Sequence, residues 1–73
     1  MLLSDLQNKD IISTITGNNL GRIVDIEIDK DGKIVNIYAE EKKMIRNYFK
    51  SNDFKFKYTD IIKIGTDVIL VKI

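Results

Sequence analysis

The stretch from Leu20 to Glu41, LGRIVDIEIDKDGKIVNIYAEE, restricts the fold more than any other. From Val24 the apolar residues Val24, Ile26 and Ile28 take every second position, and Asp25, Glu27 and Asp29 take those between. That is the two-residue period of a strand with one buried face; a helix would scatter the three carboxylates around its circumference. After Asp31-Gly32, a dipeptide suited to a hairpin turn, the period resumes with Val35, Ile37 and Ala39 on one face and Asn36, Tyr38 and Glu40 on the other. The expectation is a hairpin to which the rest of the chain adds strands.

Before it, Ser4 to Gln7 has the S-x-x-Q form of a capping box and predicts a single turn. Lys9 to Thr16, rich in Ile and Thr, reads as a strand, followed by a turn at Thr16-Gly17-Asn18-Asn19. Gly21, inside a strand pattern, marks a bulge or a close backbone approach. From Glu41 to Asn52 the alternation breaks. Met44, Ile45, Tyr48 and Phe49 recur there at helical spacing among Lys42, Lys43, Arg46 and Lys50, which fits a short amphipathic helix or an ordered loop. Phe54, Phe56 and Tyr58 then alternate with Lys55 and Lys57, predicting a strand near a sheet edge with aromatics inward and lysines outward. Ile61 to Ile64 and Asp67 to Ile73 flank Gly65-Thr66 and predict a last hairpin with a tight turn that glycine opens. Short strands at close spacing predict an all-β chain, one domain over residues 1–73, folded as a small barrel of five or six mostly antiparallel strands. Its candidate core is Val24, Ile26, Ile28, Val35, Ile37, Phe56, Ile64, Ile69 and Val71.

The chemistry of the side chains narrows function by exclusion. The 73 residues include no Cys and no His, which removes disulfides, Cys/His zinc sites, the commonest general base and the thiol nucleophile. Ser4, Ser13 and Ser51 have no activating neighbours in sequence, so neither catalysis nor a cofactor is expected. The stripe Asp25, Glu27 and Asp29, spaced about 6.6 Å apart along a strand, reads as a solvated face. Glu27, Asp29, Asp31 and Gly32 imitate the start of an EF-hand calcium loop, but Tyr38 stands where the loop needs a bidentate glutamate. Twelve basic against eleven acidic residues leave a net charge of +1, which argues against a general nucleic-acid binder. The basic and aromatic cluster Lys42, Lys43, Arg46, Tyr48, Phe49 and Lys50, continued by Lys55 and Lys57, leaves a small RNA-binding barrel using residues 42–57 as the alternative reading. No apolar run approaches the roughly 18 residues of a membrane span, and there is no basic leader, so the expected compartment is the cytoplasm.

Four phrases occur together in order: L-S-D-L at Leu3 to Leu6, L-G-R-I-V-D-I-E-I-D at Leu20 to Asp29, D-G-K-I after it at Asp31 to Ile34, and I-K-I-G-T-D-V-I-L-V at Ile62 to Val71. On these the chain resembles the PRC-barrel family over nearly its whole length, and within it the stand-alone YlmC/YmxH group of spore-forming bacteria. The chain departs from that group with Lys57-Tyr58 in place of the usual Pro-Trp, and its segment from Lys42 to Asn52 lacks the usual glycines. The resemblance implies a PRC barrel, a role tied to sporulation, no known enzymatic activity, and a protein-binding adaptor function like that of the same barrel in the photosynthetic reaction centre H subunit and in RimM. The contact residues expected for an unidentified protein partner are Lys42, Lys43, Met44, Arg46, Tyr48 and Phe49. A homodimer is also expected, because Val68 to Ile73 is apolar on both strand faces and one interior takes only one of them. The face with Val68 and Leu70 then needs cover from Leu2, Leu3 and Leu6, from the segment Met44 to Phe49, or from a second copy.

Overall fold

The computed structural model describes residues 1–41 and 53–73. A short helix α1 (Leu3–Gln7) precedes β1 (Asp10–Ser13), β2 (Asn19–Ile28), β3 (Ile34–Glu40) and β4 (Asp53–Lys57); a 3-10 turn at Tyr58–Asp60 leads to β5 (Ile61–Ile64) and β6 (Val68–Val71). The six strands form one sheet in the order β4-β3-β2-β1-β6-β5. Every neighbouring pair is antiparallel except β1 and β6, which run parallel. Side chains from five of the strands meet in one buried cluster, Ile11, Ile23, Ile37, Ala39, Phe56, Ile69 and Val71, so the sheet curls around its own inner face. The outermost strands β4 and β5 are not hydrogen-bonded to each other among the described residues, and the barrel stays open there.

β2 serves both halves of the sheet. Its start pairs with β1, through Ile12 with Asn19 and Ile11 with Gly21, and the remainder pairs with β3. Gly21 sits at the change of partner with φ of +119°, and a Cβ there would overlap the Glu40 carbonyl, so the expected close backbone approach is present. The hairpin turn is wider than Asp31-Gly32: Asp29 donates its N–H to the Lys33 carbonyl at 2.9 Å. The Asp29 carboxylate accepts the N–H groups of Asp31 (2.9 Å) and Lys33 (3.0 Å), and Gly32 supplies a φ of +82°. The motif that imitates a calcium loop is thus an aspartate-closed turn. In the last hairpin Gly65 opens the turn, donating to the Val68 carbonyl at 2.8 Å, although its φ is not left-handed. At the N-terminus the capping carboxylate is Asp5, which accepts the Leu2 N–H at 2.9 Å, rather than the Ser4 and Gln7 pair.

The expected core needs correction at three positions. Val24, Ile28 and Val35 are 45%, 58% and 42% exposed. The β2–β3 register slips twice, between Ile23 and Asp25 and again between Glu27 and Ile28, so that Val24 on β2 and Val35 on β3 are extra residues. A bulge sets two residues of one strand against one of the other and shifts the inside-outside phase. Ile23, opposite Ala39, and Ile26, opposite Ile37, therefore both face inward although they are three residues apart. Ile28 lies opposite Ile34 at the turn end of the hairpin. Ile37, Phe56, Ile69 and Val71 are buried as expected, and Ile26 and Ile64 pack against them half-buried. β4 lies at the edge with Phe54 and Phe56 inward, their ring centroids 6.1 Å apart; Tyr58 breaks the pattern by turning into the 3-10 segment, 44% exposed.

Leu6 packs onto the core cluster, but Leu2 and Leu3 are 69% and 43% exposed. Val68 and Leu70 are half-buried. Among the described residues no helix is long and apolar enough to cross a membrane.

Candidate functional site

The sequence-based contact residues Lys42, Lys43, Met44, Arg46, Tyr48 and Phe49 lie outside the described residues, as does the expected helix or loop that carries them. The face nearest to their flanks is the outer surface of β2, β3 and β4. Its side chains fall in three rows set by the register: Arg22, Glu40 and Asp53; Asp25, Tyr38 and Lys55; Glu27, Asn36 and Lys57. Strand alternation puts these residues on the opposite side from Ile23, Ile37, Ala39 and Phe56.

Both bulges contribute to this face. Each converts an apolar doublet, Ile23-Val24 or Ile34-Val35, into one residue turned inward and one turned out. Val24 stands beside Asp25 and Val35 beside Asn36, with Tyr38, 37% exposed, between them. The result is an uncharged strip, Val24 on β2 with Tyr38, Asn36 and Val35 on β3, with carboxylates on the β2 side and lysines on the β4 side. Asn36 donates from Nδ2 to the Glu27 carboxylate at 2.6 Å, and the Asp25 carboxylate accepts the Ile26 N–H at 2.8 Å. Strands β2 and β4 are two strand spacings apart, about 10 Å, close to one Debye length at physiological salt. The acidic and basic edges of the face therefore neutralise each other only weakly. In the first row the Arg22 guanidinium turns to Asp10, Nε to Oδ1 3.1 Å. Beside the strip, Tyr38, Asp53, Phe54 and Lys55 line a shallow apolar depression of about 280 Å³.

Sequence reasoning placed Tyr38 on an outer face and read Asp25 and Glu27 as a solvated stripe, but it assigned Val24 and Val35 to the core. The adjacent apolar doublets were the only signal, since either member of such a pair can take the inward position.

Other chemistry-bearing groups have structural roles. Ser13 is buried, and its hydroxyl donates to the Ile73 carbonyl at 2.7 Å while accepting the N–H groups of Ile15 and Thr16, each at 3.1 Å. That uses its one donor and both acceptor sites. Among the described residues no group of three or more acidic side chains is placed to hold a metal ion.

Comparison with known proteins agrees with this architecture. The chain is 36% identical over 73 residues to a Bacillus subtilis protein named "Probable sporulation protein YlmC", spanning 97% of this chain and 90% of that one. It is 37% identical over 70 residues to an uncharacterised protein of Clostridium acetobutylicum, spanning 94% of this chain and 80% of that one. With a six-stranded, mostly antiparallel curled sheet and a match to the PRC-barrel domain across residues 1–73, the chain belongs to the PRC-barrel domain family.

Proposed function

We propose that this chain is a non-catalytic protein-interaction module acting in sporulation, and that it meets its protein partner through the outer face of β2, β3 and β4. The observation that carries the reading is the outward turn of Val24 and Val35 beside Tyr38 by two bulges in one hairpin. A chain this short has few apolar side chains to fill its interior, yet it leaves two valines and a tyrosine together on a charged face. Tyrosine flanked by aliphatic residues and rimmed by polar ones is a composition suited to protein contact. Burying apolar surface there contributes about 25 cal/mol per Å², and the charged rim gives orientation rather than affinity. The likeness to YlmC supports the sporulation setting.

The RNA-binding alternative is disfavoured by the same face. Lys55 and Lys57 share it with Asp25 and Glu27, so a phosphate backbone laid across it meets both signs of charge.

The test is complementation of a sporulating strain lacking this protein. Val24→Asp/Val35→Asp changes two exposed side chains, so thermal unfolding should move by only a few degrees, and the variant should fail to restore sporulation. If it folds and restores sporulation like the wild type, this face is not the contact surface.

A further inference from the structure

We infer that the partner on this face is a second copy of the chain, docked face to face about a two-fold axis that runs parallel to β3. The inference rests on the reading of the face as a protein-contact surface. Two sheets packed face to face can be related by an axis along the strands or by one across them, and the two arrangements differ in which strands meet. An axis along β3 lays β2 of one copy over β4 of the other and keeps the rows in step. Asp25 of each copy then meets Lys55 of the other and Glu27 meets Lys57, while Arg22 stays with Asp10 of its own copy. These two rows bring unlike charges together, and each contact occurs twice because a two-fold interface is self-complementary.

The β3 part of the uncharged strip, Tyr38 and Val35, follows the same axis. Along β3, Tyr38 meets Tyr38, Asn36 meets Asn36 and Val35 approaches Val35, so the centre of these rows is uncharged while the charges of β2 and β4 lie to either side. An axis across the strands sets β2 over β2 instead and reverses the rows; run between the Tyr38 and Asn36 rows, it puts Asp25 against Glu27 and Lys55 against Lys57. Packed sheets meet at about 30° because each is twisted, so the registry is closest in the two rows of Tyr38 and Asn36 and looser in the outer row, where the two Glu40 side chains lie nearest the axis.

Equilibrium sedimentation of the purified chain with paired charge reversals tests the inference. The wild type should be dimeric at tens of micromolar and dissociate as salt rises from about 0.05 M to 1 M. Asp25→Lys/Glu27→Lys and Lys55→Glu/Lys57→Glu, both confined to exposed residues, should each weaken self-association roughly tenfold or more. An equimolar mixture of the two variants should form a heterodimer. A wild type that stays monomeric at several hundred micromolar overturns the inference, as does a pair of variants that each remain dimeric, or two monomeric variants that do not associate when mixed. A photo-cross-linking residue in place of Tyr38, used in sporulating cells, separates this inference from the reading beneath it. An adduct of twice the chain mass supports the second copy. An adduct with a different protein alone overturns it and leaves the face as a contact surface, whereas no adduct overturns both.

Discussion

Two glycines with left-handed φ have different causes, and the same substitution should separate them. Gly21 is held against the Glu40 carbonyl, so an added methyl meets backbone that has no way to yield. Gly21→Ala combines that overlap with an unfavourable φ and should lower the unfolding free energy by about 3 kcal/mol or more in urea denaturation. For a chain this short that is a large share of a total of roughly 4 to 11 kcal/mol, taken at the usual per-residue value. Gly32 has nothing within 4 Å of an added Cβ. Gly32→Ala should cost only about 1–2 kcal/mol, the intrinsic penalty of the left-handed region, and Gly32→Asn should recover part of it. Ser13 has the opposite character, a buried hydroxyl on which three main-chain groups depend. Ser13→Ala should cost about 1–3 kcal/mol and release the Ile73 carbonyl, a loss that amide exchange at Ile15 and Thr16 would register directly.

The β2–β3 hairpin decides which face of the sheet becomes core, and its bulges are tested by truncating neighbours of opposite phase. Ile37→Ala, at a position 1% exposed, should cost about 2–5 kcal/mol, whereas Val35→Ala should stay within about 0.5 kcal/mol; equal effects in thermal or chemical unfolding would place both residues inside. The existence of these strands was legible because a period of two and the chemistry of Asp and Gly turns are local properties of the chain. Their phase was not. One extra residue inverts inside and outside, and doublets such as Ile23-Val24 satisfy both registers equally. β4 was read correctly to Lys57 because no bulge interrupts it, and the pattern failed at Tyr58, where the chain bends into the 3-10 turn. The tight packing at Gly21 was readable from a glycine inside a strand, but its partner, Glu40, was not. As for the candidate site, sequence placed it among Lys42 to Phe49, outside the described residues. The exposed face of β2, β3 and β4 emerges only once the pairing of three strands is known.

At the scale of the molecule, the longest-range feature is the parallel pairing of β1 with β6, Asp10 to Val68 through Ser13 to Val71. It joins segments 58 residues apart, and four of its side chains, Ile11, Ser13, Ile69 and Val71, are fully buried. Non-local pairing of this kind slows folding, so stopped-flow refolding should occur in milliseconds to seconds rather than microseconds. The same pairing has a mechanical consequence. The chain enters β1 at one end of the ladder and leaves β6 at the other. Tension applied between the two ends therefore drags the strands past each other along their axes, and the hydrogen bonds, which lie across the strands, share the load in shear. A pull on positions 16 and 73, both at the far end of that ladder, would peel it open one bond after another. In an optical trap, with forced unfolding governed by the unfolding rate, handles at residues 1 and 73 should require clearly higher force than handles at 16 and 73. A small barrel tethered through its ends would then act as a clamp that resists stretching between whatever it joins.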